Sequence, residues 1–147
     1  MTSPVQWTLT FDCHDAGRVA AFWAVALGYV EAPPPTGWAT WEEWLRHHDV
    51  PEEEWDDGAA LVDPSGLQPR ISFVRVPEPK QVKNRIHVDL QVSGGRHIEQ
   101  SERERAIRAT VERLVAAGGE VLFEAPEAGP LDHVVMCDPE GAEFCVV

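Results

Sequence analysis

The sequence predicts an α+β fold made of two tandem βαβββ modules. Three observations support this prediction. Each half of the chain opens with an alternating strand, followed by an amphipathic helix and a glycine stop. Each half then contains a strand, an Asp-Pro-x-Gly turn and a further strand. The length of 147 residues and the 44% hydrophobic content suit one domain with a buried core.

The first module begins with a strand predicted over residues 6–13, where apolar and polar residues alternate with a period of two. Asp15 can cap a helix over Ala16–Leu27, whose apolar residues share one face, and Gly28 can end that helix. The segment 63–66 has proline and glycine at the positions that a type I turn favours.

The second module repeats this order. Residues 85–92 alternate with a period of two and predict a strand. Ser101 and Glu104 have the spacing of a capping box, and the amphipathic helix behind them meets a glycine pair at 118–119. The segment 138–141 repeats the Asp-Pro-x-Gly turn, so the two modules read as copies of one another.

The first module is longer by about 15 residues, which we assign to an insert at 36–58. Thr40 and Glu43 can open a helix there, and the acidic run 52–57 is expected to be extended or turn-rich. The insert holds four of the six tryptophans, which are Trp38, Trp41, Trp44 and Trp55. They can form a lid whose rings stack on a ligand, or they can anchor the insert. Anchoring is favoured for Trp41 and Trp44.

Charge and cysteine content exclude several classes of protein. The net charge of −13 disfavours nucleic acid and anionic membranes as partners. No apolar run approaches the length of a membrane span, and no export signal is expected at the start of the chain. The three cysteines, Cys13, Cys137 and Cys145, fit no disulfide framework, so a reducing cytoplasm is the expected compartment.

Three segments, taken together and in this order, resemble the vicinal oxygen chelate superfamily, and within it the glyoxalase-like domains grouped with bleomycin-resistance proteins. They are FDCHDAGRVAAFWAVALGY at 11–29, PRISFVRVPEPKQVKNRIHVDL at 69–90 and DPEGAEFCV at 138–146. The resemblance covers nearly the whole chain. It implies the glyoxalase/bleomycin resistance/dioxygenase fold, in which two curved sheets pair to form a cleft, and it implies a homodimer.

The expected organisation is a single domain of this family. Module 1 covers residues 5–76 and contains the insert, a linker covers 77–84, and module 2 covers 85–147.

In this family, the first and last strands of each module supply four positions for a divalent metal. Their counterparts here are Thr8, Ser72 or Phe73, His87 and Cys145. Only His87 clearly matches, because the other counterparts are neither histidine nor carboxylate residues. Cys145 stands where the pattern has glutamate, and it is expected to pack as a small buried residue. Glu143 lies two residues before Cys145 and so points to the same face. His87 with Glu143 or Asp89 can therefore still form a metal site with fewer ligands than the family's four.

Seven residues are predicted to contact a ligand, namely Thr8, Arg85, His87, Asp89, Glu143, Trp38 and Trp55. Strand alternation places Arg85, His87 and Asp89 on one face. Five cations lie between residues 70 and 85. They can attract an anionic ligand, or they can pair with the acidic insert or a partner subunit.

The expected function is therefore the binding of a small organic molecule in the cleft, without the full metal site. No cofactor is expected beyond a possible divalent metal. One alternative is a metal-dependent lyase, isomerase or dioxygenase. The other is a non-catalytic interaction module whose insert docks on a basic protein.

Overall fold

The computed structural model describes all residues from 1 to 147. The chain divides into two compact units, one of Met1–Ala24 with Gly28–Pro79 and the other of Val25–Leu27 with Lys80–Val147. Each unit holds one four-stranded sheet, and both sheets have the same topology. The prediction of an α+β fold with two βαβββ modules is confirmed.

The first sheet has the strand order β1-β4-β3-β2. Its strands β1 and β4 are parallel, and its other pairings are antiparallel. The elements are β1 (Leu9–Cys13), α1 (Ala16–Leu27), β2 (Val30–Glu31), α2 (Trp41–His47), a 3₁₀ helix (Glu52–Asp57), β3 (Gly58–Val62) and β4 (Ile71–Arg75).

Helix α1 has the predicted bounds. The Asp15 carboxylate accepts a hydrogen bond from the backbone N–H of Arg18 at 2.9 Å, and Gly28 ends the helix with a left-handed φ of 69°. Phe22 and Trp23 of this helix are each only 1% exposed. The ring of Trp23 lies 4.9 Å from that of Phe11 in β1, so aromatic side chains form much of this core.

Strand β1 is shorter than the predicted strand over 6–13. It begins at Leu9, whose backbone N–H donates to the carbonyl of Arg70 at the start of the parallel partner β4. Pro69 precedes that point and has no N–H to continue the ladder. Trp7 therefore lies outside the sheet and is 66% exposed.

The insert contains two short helices. Thr40 caps α2 as predicted, because its hydroxyl accepts a hydrogen bond from the Glu43 N–H at 3.2 Å. The acidic run Glu52–Asp57, which was expected to be extended or turn-rich, forms a 3₁₀ helix. Its first three acidic residues lie in the first turn, where the helix dipole favours negative charge.

The second sheet has the order β5-β8-β7-β6. Its strands β5 and β8 are parallel, as β1 and β4 are in the first sheet. The elements are β5 (Asp89–Leu90), α3 (Gln100–Ala116), β6 (Glu120–Ala125), β7 (His133–Cys137) and β8 (Glu143–Val146). Helix α3 packs against β6, β7 and β8. Ile107 and Leu114 on this helix, and Met136 and Phe144 in the sheet, are fully buried.

Helix α3 starts one residue before the predicted cap. The cap is Glu99, whose side chain accepts hydrogen bonds from the backbone N–H groups of Ser101 and Glu102, so the predicted Ser101–Glu104 capping box is wrong. Glu99 takes the capping position that was predicted for Ser101, and its negative charge is favoured at a helix N-terminus. No helix in the structure is long and apolar enough to cross a membrane.

Strand β5 is much shorter than the predicted strand over 85–92. Only Asp89 and Leu90 pair, in register with Cys145 and Val146 of β8. Ile86 is 77% exposed, so it buries little surface that could hold it in a sheet. Apolar and polar residues do alternate over 85–92, but β5 lies at the edge of the sheet and pairs only with β8, which has four residues.

The two Asp-Pro-x-Gly turns form as predicted, with hydrogen bonds of 2.9 Å from the Gly66 N–H to the Asp63 carbonyl and from the Gly141 N–H to the Asp138 carbonyl. They differ in burial, since Asp138 is only 3% exposed. Its carboxylate accepts hydrogen bonds from the N–H groups of Glu140 and Ala142 at 2.9 and 3.0 Å.

Candidate functional site

Three side chains of types that can ligate a metal ion converge in the second unit. The donor atoms of His87, Asp89 and Cys145 all lie within 4.8 Å of one another. The Nε2 atom of His87 lies 3.3 Å from Oδ1 of Asp89. We call these three residues the donor cluster.

The parallel pairing of β5 with β8 brings the donor cluster together. Asp89 and Cys145 are direct partners in the register, so their side chains lie side by side on the same face of the sheet. His87 lies two residues before Asp89, and the chain is held there because the Cys145 N–H donates to the carbonyl of Val88 at 2.9 Å. Phe144 and Val146 alternate to the opposite face and are fully buried, which fixes the orientation of β8.

The donor cluster has one nearly buried and two accessible members. Cys145 is 9% exposed, whereas the side chains of His87 and Asp89 are 43% and 47% exposed. Burial raises the pKa of the Cys145 thiol, and the negative charge of Asp89 and a hydrogen bond with its carboxylate raise this pKa further. Asp89 thus contacts both neighbours, and the sulfur carries its proton at neutral pH.

We expect Cys145 and Cys137 to react slowly with iodoacetamide at pH 8. The thiolate is the reactive form, burial raises the pKa of both thiols, and both side chains are less than 10% exposed. Mass spectrometry of the folded protein should show far slower labelling of both residues than of glutathione. In urea the rates should become equal, and fast labelling of the folded protein would contradict this expectation.

Glu143, predicted as a ligand for a metal or a small molecule, lies outside the donor cluster. Its carboxylate contacts Lys80 Nζ at 3.1 Å and accepts a hydrogen bond from the Asn84 N–H at 3.1 Å. Burial of Glu143 acts to raise its pKa, but the hydrogen bonds from Asn84 and Lys80 outweigh that effect and leave the pKa below its ordinary value. Glu143 therefore fixes the segment that leads into His87.

Two further predicted ligand residues are exposed. Thr8 precedes β1 and carries a hydroxyl, which is a poor metal ligand. The guanidinium of Arg85 folds back on its own chain, with Nε and Nη2 each 3.4 Å from the carbonyl of Lys83.

The tryptophans of the insert make contacts within the first unit. The Trp41 indole donates to the Ala32 carbonyl at 2.8 Å, which anchors α2 as favoured for this residue. The Trp55 indole donates to the carbonyl of Val50 at 3.0 Å, and the guanidinium of Arg46 lies 4.9 Å from its ring. The ring of Trp38 lies 4.7 Å from that of His47.

A separate open pocket of about 430 Å³ lies in the first unit, lined by His14, Asp57, Arg75, Val76 and Pro77. Its charged groups form an ion pair, with Arg75 Nη1 at 3.0 Å from Asp57 Oδ1. Asp57 belongs to the insert, so Arg75, one of the five cations between residues 70 and 85, pairs with the acidic insert.

Two members of the donor cluster were recognisable from the sequence as ligand residues, and the third was assigned to packing. His87 and Asp89 were predicted as ligand residues, but Cys145 was expected to be a small buried residue. It is buried, and it also contacts Asp89. The signal that places it beside Asp89 and His87 was its position on the last strand, where the family resemblance puts a metal ligand.

Comparison with known protein families gives a match over nearly the whole chain. A family model described as a glyoxalase-like domain matches residues 8–147. No curated protein matches the sequence.

Solved structures share the fold over almost the whole chain. The fosfomycin resistance protein FosX from Mesorhizobium loti is 12% identical with a TM-score of 0.59, covering 99% of this chain and 91% of its own. A glyoxalase/bleomycin resistance protein/dioxygenase family enzyme from Burkholderia phytofirmans PsJN is 15% identical with a TM-score of 0.56, covering 95% and 94%. FosX from Listeria monocytogenes, complexed with Mn(II) and sulfate, is 16% identical with a TM-score of 0.57, covering 99% and 90%. At these identities the likeness shows the fold alone.

Proposed function

The chain belongs to the glyoxalase-like domain family. We propose that it binds a small organic molecule at a divalent metal site with three protein ligands, which the donor cluster supplies. The observation that carries this proposal is the convergence of an imidazole, a carboxylate and a thiol within 4.8 Å. Such a set is smaller than the four positions expected from the family, and all of it comes from one unit.

The spacing of the donor cluster fits a metal ion. Zinc-type bonds of about 2.0–2.3 Å in a tetrahedron separate the donor atoms by roughly 3.3–3.7 Å. The His87–Asp89 separation of 3.3 Å is already at that value, and side-chain rotation can bring Cys145 to it from within 4.8 Å. The residues present therefore fit a divalent ion with three protein ligands.

Three protein ligands leave room for a fourth. A divalent ion bound here supplies a Lewis acid with a free position for an oxygen atom of the ligand. The exposed sides of His87 and Asp89 give a small molecule access to that position.

Charge near the donor cluster favours an anionic ligand. Lys83 lies close enough for its charge to oppose the rise in the pKa of Cys145. Arg85, which contacts only the Lys83 carbonyl through weak 3.4 Å hydrogen bonds, can turn toward a carboxylate at little cost. We propose Lys83 and Arg85 as the groups that attract the ligand.

Elemental analysis tests the metal site. We expect one divalent ion per chain after reloading and dialysis, because three donors converge, and we expect His87→Ala to lose it. His97→Ala is the matched control, since His97 is an exposed histidine of the same unit outside the donor cluster. The ion should also raise the Tm of the wild type and of the control. An ion content unchanged in His87→Ala would refute this site.

Calorimetry on the reloaded protein tests the ligand class. Mandelate offers a carboxylate with a neighbouring hydroxyl, phenylacetate lacks the hydroxyl, and 2-phenylethylamine carries the opposite charge. The expected order of affinity is mandelate, then phenylacetate, then the amine, and Arg85→Ala should weaken both acids. Preference for the amine would contradict an anionic ligand.

A further inference from the structure

We infer that Cys145 makes this site selective for thiophilic divalent ions of the zinc class over Mn(II). This inference rests on the proposed function, because it names the ion that the donor cluster holds. It concerns the one donor that departs from the glutamate expected at this position of the family.

The donor set is the first reason. Thiolate ligands favour zinc and other soft or borderline ions, imidazole suits them as well, and manganese prefers carboxylate, carbonyl and water oxygens. In the donor cluster, only Asp89 offers oxygen, while His87 offers nitrogen and Cys145 offers sulfur, whose proton is released to water as the ion binds. Two of the three donors therefore disfavour manganese relative to zinc.

The number of ligands is the second reason. Zinc is commonly four-coordinate, with three protein ligands and one open position in sites that act on small molecules. Ions of the manganese and magnesium type prefer six oxygen ligands in an octahedron, part of which water can supply. Glu143, the nearest carboxylate on the same strand, is already held by Lys80 and Asn84 and does not enlarge the set.

The setting of the sulfur is the third reason. Cys145 is 9% exposed and sits in a paired strand, so its position is fixed by the sheet and not by a flexible loop. Asp89 already contacts the Cys145 thiol and lies within 3.3 Å of the imidazole, so the ion would enter a preorganised site. A cysteine whose backbone is held by the sheet and whose side chain is sheltered from solvent is suited to a lasting metal–sulfur bond.

Cobalt(II) is the spectroscopic probe for this inference. The metal-free, full-length protein is titrated with cobalt(II), and we expect an intense near-ultraviolet thiolate-to-cobalt band together with the visible bands of a tetrahedral ion. Cys145→Ser should abolish the near-ultraviolet band. Cys137→Ser is the matched control, because Cys137 is a buried cysteine of the same sheet outside the donor cluster, and it should keep the band.

Competition between zinc and manganese measures the selectivity. Zinc should bind the wild type more tightly than manganese by more than an order of magnitude. Cys145→Glu, which replaces sulfur by oxygen, should narrow that ratio, and circular dichroism checks that each variant is folded.

The outcomes separate this inference from the proposed function. Cobalt bound without a thiolate band in the wild type, or equal affinities for zinc and manganese, would overturn the selectivity and leave a metal site in place. Failure of the wild type to bind cobalt, zinc or manganese would overturn the metal site itself. The wild-type spectrum decides the inference even where a variant fails to fold.

Discussion

Replacing Trp23 by alanine lowers the free energy of unfolding by about 3–5 kcal/mol, as expected for the loss of a large aromatic side chain from a packed core. Trp23 is 1% exposed, and its ring contacts those of Phe11 and Phe22 at centroid distances of 4.9 and 5.6 Å. Alanine is a good helix former, so the loss comes from packing and not from the helix itself. A loss of this size is a large part of the ~5–15 kcal/mol that stabilises a domain.

Urea unfolding followed by far-ultraviolet circular dichroism measures this loss without relying on tryptophan fluorescence. Trp7→Ala is the matched control, since it makes the same substitution at a residue that is 66% exposed and outside the sheet. The control should change the unfolding free energy by less than about 0.5 kcal/mol. Equal losses in the two variants would show that Trp23 is not part of the core.

Replacing Asp138 by alanine is expected to cost about 2–3 kcal/mol, because hydrogen bonds to a charged group contribute more than neutral ones and their donors would be left without a partner. The carboxylate of Asp138 accepts hydrogen bonds from the N–H groups of Glu140 and Ala142. It is 3% exposed, so water cannot easily replace it. The turn joins β7 to β8, and its loss would loosen the strand that carries Cys145.

Two comparisons isolate the contribution of the Asp138 carboxylate in the same urea experiment. Asp138→Asn keeps the accepting Oδ1 atom and should retain most of the stability. Asp63→Ala removes the corresponding residue of the first unit, whose hydrogen bonds to Ser65, Leu67 and Gln68 are exposed to solvent. It should cost less than Asp138→Ala, and the reverse order would refute the role of burial.

Local signals in the sequence were sufficient for helix α1 and for the two turns. Asp15 and Gly28 act on the backbone within a few residues of themselves, and the same holds for proline and glycine in an Asp-Pro-x-Gly turn. The cap of α3 was harder to place from the sequence, because Glu99 and Ser101 lie two residues apart and both carry oxygen atoms that can accept hydrogen bonds from the first turn of a helix.

Strand length and the donor cluster depend on pairing between distant segments. Residues 85–92 alternate along their whole length, but only Asp89 and Leu90 form register pairs with β8. A one-residue change of register would turn Cys145 away from Asp89, and the alternating pattern of residues 85–92 does not by itself fix that register. The buried Phe144 and Val146 fix it, and their burial is a property of the folded sheet.

The parallel pairings also determine the order in which the sheets assemble. Asp89 meets Cys145 only by closing a loop of more than fifty residues, whereas β7 and β8 are joined by a short turn. Loop closure costs more entropy for the longer connection, so the hairpin is expected to form first and β5 to dock last. The donor cluster is thus completed at the end of folding. An ion that needs all three donors would bind only the finished unit, and undocking of β5 would release it before the rest of the sheet unfolds.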